Sequence, residues 1–161
     1  MDTVVSAFAQ FVGVNDYLLG KALEGLSEDE LRRHPRDANP MGWVVGHIVH
    51  YRNQMAKAIG GGLDLPWASA FEQHSQPDEG QAFPVIADLK AALQATSADL
   101  KARLAQLTDA ELSAPAPRPF PIPDKTMRGM VAFLVYHEAY HVGQVAYVKK
   151  WLGHPGIVDG H

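Results

Sequence analysis

MRGMVAFLVYHEAYHVGQVAYVKKWL, residues 127–152, contains no proline and repeats its apolar residues every three or four positions. That spacing predicts one long helix. At about 100° per residue, with Met130 at zero, Phe133, Leu134, His137, His141, Gln144, Val145, Val148 and Leu152 all fall within about 60° of it. The arc is a core-facing stripe, and two histidines lie near its middle.

The same spacing recurs through Val4–Leu23, Met41–Ile59 and Val85–Leu107, and no segment alternates at period two. The chain therefore reads as all-α, an up-down four-helix bundle. Asn39-Pro40 suits the start of the second helix, with Asn as cap, and Gly60-Gly61-Gly62 its end. LSEDEL at 26–31 and LTDAEL at 107–112 both carry the capping-box pattern, which predicts a short helix after the first and third long ones. Two helix–short helix–helix units packed together are the expected arrangement. The connections 60–84 and 113–125 are rich in Gly or Pro and cannot continue a helix. Trp67 and Phe71 are too apolar to remain in water, so the first connection is expected to fold over one end of the bundle.

The length of 161 residues suits a single domain, 1–161. With 14 basic and 18 acidic residues, a net charge of −4 leaves no basic surplus for nucleic acid or an anionic membrane. No cysteine is present, which excludes disulfides and thiolate ligands; a thiol reaction would need a thiol supplied from outside. The N-terminal stretch has no basic n-region and no membrane-length apolar run, so a cytoplasmic location is expected.

His137 and His141 are stacked neighbours on the apolar arc, a spacing that lets both imidazoles reach one ion. Without partners, two buried imidazoles would cost a few kcal/mol. A metal is one solution; hydrogen bonds to buried carbonyls or to Gln144 are another. On the second helix, NPMGWVVGHIVHYRNQM, His47 borders the apolar arc and can turn inward, while His50 points the opposite way and is expected in solvent. Arg52 interrupts the same arc without a partner evident in the sequence. His34, His74, His154 and His161 are expected at the surface.

Residues 137–141, His-Glu-Ala-Tyr-His, match H-E-x-x-H, in which a glutamate activates water. Glu138 is thus the candidate catalytic residue, or alternatively a brace for a ligand ring. An extended protease motif would need Gly at 144 and His at 147, where this chain has Gln144 and Tyr147. No strand is predicted to edge a peptide cleft, and peptidase is the least favoured reading. Tyr136 and Tyr140 flank the arc, and core or interface packing is expected for both.

GWVVGHIVH, followed some ninety residues later by YHEAYHVGQVAYVKKWLG, resembles the DinB-like family. These are bacterial four-helix bundles that include thiol-dependent transferases related to bacillithiol transferase and mycothiol-dependent maleylpyruvate isomerase. The resemblance implies a divalent metal on one histidine of the second helix and two of the last. Matched by motif, these are His47, His137 and His141. It also implies a homodimer and, in some members, a low-molecular-weight thiol as cosubstrate. Zinc or nickel leads for the metal, with iron and manganese open, since imidazole suits several. The small apolar back of the last helix, Ala132, Val135, Ala139, Val142 and Ala146, independently calls for a cover, and a second subunit is favoured.

The expected function is metal-dependent transfer or hydrolysis on a small-molecule substrate. The alternative is a non-catalytic dimeric module that binds a metal or ligand.

Overall fold

The four periodic segments form α1 (Thr3–Leu23), α2 (Met41–Ala58), α3 (Ile86–Leu104) and α5 (Met127–Trp151), with a short α4 (Asp109–Ser113) between the last two. The structure is a computed structural model that describes residues 3–72, 75 and 84–158. Among these there is no strand, only an isolated bridge between Pro115 and Thr126. No helix among them is long and apolar enough to cross a membrane.

The four-helix bundle read from the sequence is present, with a specific order. Residues near the end of α1 (Leu19, Leu23) share a core cluster with the start of α2 (Met41–Val49), the start of α3 (Leu89, Leu93) and the end of α5 (Val142–Val148). The opposite ends form a second cluster, including Val5, Met55, Leu104 and Met130. The chain therefore runs up α1, down α2, down α3 and up α5. Both α1 and α2 pack on α3 and α5, so α1 and α2 face each other across one diagonal of the bundle and α3 and α5 across the other. The connection after α2 returns the chain to the end where α2 began, which makes α2 and α3 parallel.

Caps depart from expectation in two places. The N-cap of α2 is Pro40, one residue beyond Asn39, and makes no side-chain cap bond. The Leu31 carbonyl accepts the Gly42 N–H at 3.0 Å instead, so the entering chain does what a cap side chain would do. At 27–30 the capping-box bonds form, with Ser27 N–H donating to Glu30 at 2.8 Å, but the backbone makes only turns. At Thr108–Glu111 the full capping box starts α4.

Both long connections are fastened to the bundle. Gly60 and Gly62 have φ of +84° and +101°, the left-handed geometry that ends α2. Asn53 then grips Leu63 through both its N–H (2.8 Å) and its carbonyl (3.0 Å). A 3-10 helix, Pro66–Phe71, lies on α2 and buries Phe71 completely, as the apolar content of this loop required. In the second connection Ala116 N–H donates to the Lys125 carbonyl at 2.9 Å. Lys125 Nζ reaches the Phe120 carbonyl at 2.6 Å.

Candidate metal centre

α2 is buried almost all round, because α3 and α5 cover one side and the 3-10 helix covers the other. This arrangement corrects the expectation for His50. It points away from the bundle axis as read, but it is 6% exposed. Its nearest carboxylate, on Glu72, lies 3.9 Å away. A helical wheel registers only one buried face, whereas the 60–72 segment makes a second.

His47 points inward from α2 and meets His137 and His141 from α5. One ring nitrogen from each of the three lies within 4.8 Å of the others. The Nε2 atoms of His137 and His141 are 3.1 Å apart, about the separation expected for two nitrogens each ~2.0–2.1 Å from one ion. The outward nitrogens of two rings are occupied. His47 Nδ1 sits 2.7 Å from the Phe71 carbonyl and His141 Nδ1 2.7 Å from Gln144 Oε1. Both acceptors require the proton on Nδ1, which leaves the Nε2 lone pairs facing the centre. Gln144 is held in turn by the Tyr140 hydroxyl at 3.2 Å.

His47 and His137 are neutral well below neutral pH. Burial lowers the His47 and His137 pKa values to about 4, and burial also lowers that of His141. Three neutral imidazoles with converging lone pairs are the donor set a divalent transition metal takes, with one tetrahedral position left open. The residues present fit such an ion. Aromatic rings wall the site: Trp43 stacks on His47 at 4.8 Å, and Tyr51 meets His47 and His137 at 4.7 and 5.3 Å.

Gly46 makes the His47 brace possible. A Cβ at this position would lie 2.7 Å from the Phe71 ring, closer than carbon atoms pack. With hydrogen alone there, Phe71 lies flat on α2 and its carbonyl reaches the next residue, His47.

Glu138 is 4% exposed. Both of its oxygens pair with Arg52, Nε at 3.0 Å and Nη2 at 2.5 Å. Arg52 is itself 1% exposed and also binds Asp16 at 2.6 Å and the Leu93 carbonyl at 3.2 Å. Asp16 completes the network with Ser97 and with Lys101 at 2.7 Å. Burial works against the Arg52 charge, but the Glu138 and Asp16 carboxylates outweigh it and push its pKa up. Arg52 was the unexplained residue of the sequence, and this network accounts for it. Its position inside an apolar arc was the available signal; its partner, 86 residues away, carries none.

Among the described residues, no other histidine joins the centre. His34 is exposed, and His154 is half-buried against Glu30 at 2.8 Å. His74 and His161 lie outside the described residues. Tyr136 and Tyr140 are 70% and 57% exposed, which excludes core packing for both. The back face of α5 is covered more than expected: Val135 and Val142 are buried within the bundle and only Ala139 is fully open. The uncovered apolar stripe is instead Tyr136, Tyr140, Tyr147 and Trp151.

The DinB superfamily matches residues 16–145 of the chain. Among solved structures, a DinB-like protein from Bacillus subtilis superposes with a TM-score of 0.62 at 20% identity, covering 96% of this chain and 94% of that one. A conserved protein from Enterococcus faecalis superposes with a TM-score of 0.69 at 17% identity, covering 93% and 97% respectively. At such identities the likeness speaks for the fold. No curated protein matches the chain.

Proposed function

As the chain belongs to the DinB superfamily, we propose that it holds one divalent transition metal on His47, His137 and His141 and uses it for transfer or hydrolysis on a small molecule. The observation that carries this reading is the convergence of three neutral imidazoles, two of them oriented through Nδ1. Neutral ligands leave the full 2+ charge on a bound ion, which lowers the pKa of a bound water or thiol and polarises a carbonyl or epoxide oxygen. A low-molecular-weight thiol as cosubstrate enters from the family resemblance, and zinc or nickel is the favoured metal.

The chain's own residues supply orientation. The Phe71 carbonyl and Gln144 fix two rings, and the Trp43 and Tyr51 rings keep water from the edges of His47. Glu138 takes a positioning role in this reading. Its two oxygens on Arg52 tie α5 to α2 one residue past His137, which sets how far apart the ligand-bearing helices stand. A free base would need an oxygen turned to the open coordination position, and Glu138 gives both to Arg52.

A homodimer is part of the proposal. Tyr136, Tyr140, Tyr147 and Trp151 on α5, each 46% exposed or more, form the kind of aromatic surface that interfaces enrich. Light scattering should give twice the mass of the 161-residue chain.

The deciding experiment is elemental analysis of untagged protein purified without chelator or nickel resin, beside the His137→Ala/His141→Ala variant. About one equivalent of a transition metal, lost in the variant, supports the proposal. No metal, even after zinc, nickel or manganese is offered, would move the reading to a non-catalytic module.

A further inference from the structure

A cavity of about 230 Å³ opens beside the candidate metal centre, with His137 the one of its three histidines that lines it. His137 and Tyr51 form its inner wall, Met130 and Phe133 its floor, and Arg118 and Phe120 of the 113–125 connection its outer wall. That outer wall is built rather than loose. Phe120 stacks on Phe133 with ring centres 6.2 Å apart. Lys125 lies over the Phe120 ring at 5.3 Å and bonds its carbonyl. The bridge between Pro115 and Thr126 closes the base of the loop. The prolines at 119 and 121 remove two backbone donors from the same wall.

The charge of this cavity is unlike that of the chain. The protein carries a net −4, yet no Asp or Glu lines the cavity and Arg118 does. Arg118 stands over the Tyr51 ring at 5.8 Å and has no carboxylate partner among the described residues. Two arginines of the helices are neutralised, Arg52 by Glu138 and Asp16 and Arg103 by Asp99. Arg33, like Arg118, lies over an aromatic ring, but that ring is Trp151 at the surface, outside the lining of this cavity. A guanidinium with no carboxylate partner among the described residues, lying over an aromatic ring at the mouth of a cavity walled mainly by Phe, Met, Leu and Pro, is a carboxylate-binding group with an apolar slot beneath it.

We infer that the substrate of this centre is a small carboxylate with an apolar or aromatic body, its carboxylate on Arg118 and its reacting end toward His137. The inference rests on the proposed function for the word substrate, but the anion site itself depends only on Arg118 and the cavity. Phe120 and Phe133 set the shape of the body. Arg118 sets its charge, and Tyr51 links the two by holding the guanidinium over the slot.

Benzoate and benzamide have the same body and differ in charge, so their relative affinity isolates Arg118. Calorimetric titrations would use the protein as purified, Arg118→Gln, Arg118→Lys and His137→Ala/His141→Ala, each also analysed for metal. Benzoate is expected to bind about tenfold more tightly than benzamide. That preference should fall to near unity in Arg118→Gln, survive in part in Arg118→Lys, and persist in the double histidine variant. Arg118 is exposed, so its replacement leaves the core intact. Equal binding of the two probes, or no detectable binding of benzoate, overturns the inference. So does a preference that survives Arg118→Gln but disappears with the histidines, since the carboxylate would then sit on the ion; in that outcome the metal proposal stands. If the parent protein, with its histidines intact, holds no metal even after zinc, nickel or manganese is offered and still shows the Arg118-dependent preference, the metal proposal fails and the anion site stands.

Discussion

Arg52 and Glu138 lock α2 to α5 through two parallel hydrogen bonds of 3.0 and 2.5 Å, in a part of the core where both side chains are almost wholly buried. Such a pair contributes little net stability when intact, because desolvation offsets attraction. Breaking it is different. Glu138→Gln leaves Arg52 with only the partly exposed Asp16, and a loss of about 3–5 kcal/mol is expected from the uncompensated charge. Replacing both partners, as Arg52→Met/Glu138→Leu, should be less damaging than either single change. Urea unfolding checks the order. If Glu138→Gln unfolds like the parent while a metal-dependent activity disappears, Glu138 is the catalytic residue and its positioning role is wrong.

His47 and His50 stand one turn apart on α2 and are both buried, but only His47 faces the α5 pair. His47→Ala should weaken metal binding by well over 100-fold, since loss of an outer hydrogen-bond partner alone costs about 10–100-fold. His50→Ala should keep one equivalent of metal while losing some stability. Competition with a chromophoric chelator measures both. Metal retained in His47→Ala and lost in His50→Ala would mean that α2 is rotated relative to this structure.

Gly46→Ala tests the brace on His47. The new methyl meets the Phe71 ring at 2.7 Å, and Phe71 has no free space to retreat into, being 1% exposed. Overpacking of this kind costs about 1–3 kcal/mol, and displacing the Phe71 carbonyl should weaken the metal about 10-fold. Gly20→Ala is the control. Nothing lies within 4 Å of its added carbon, so it should stabilise α1 by about 0.5–1 kcal/mol. If Gly46→Ala behaves like Gly20→Ala in thermal melts and metal titration, the Phe71 contact does not hold His47.

Helix periodicity made the bundle and the two α5 histidines readable, because the arc around Met130 depends only on residues close in sequence. His47 was readable as well, since it borders the apolar arc of α2. What local pattern could not supply was what covers the other face. His50 looked solvated because its cover, the 3-10 helix around Phe71, is a loop segment without periodicity. The pairing of Glu138 was obscured for a related reason: an H-E-x-x-H string gives the glutamate no partner but water, and its bonds to Arg52 come from another helix. The parallel run of α2 and α3 follows from where the 59–85 connection ends, which spacing within a helix does not encode.

The buried histidines also fix a pH response with a definite sign. Well above pH 6.5 the rings are neutral in both folded and unfolded chains, and they contribute no pH dependence. As pH falls from 6.5 toward 4, the unfolded rings take up protons while folded His47 and His137, at about 4, do not. Metal-free protein should therefore lose stability through that window, by at most about 1.4 kcal/mol per pH unit for each ring. Within the folded state the opposite holds for the metal. His47 and His137 are already neutral at pH 5 and need not be deprotonated, so affinity should fall less between pH 7 and 5 than it would for three unperturbed imidazoles, which lose ground to protons below 6.5. Urea midpoints of the stripped protein and zinc affinities of the folded protein, measured over the same pH range, separate the two effects. A zinc affinity that falls steeply from pH 6.5 downward would show that the three rings titrate as exposed histidines and that the centre is open to water.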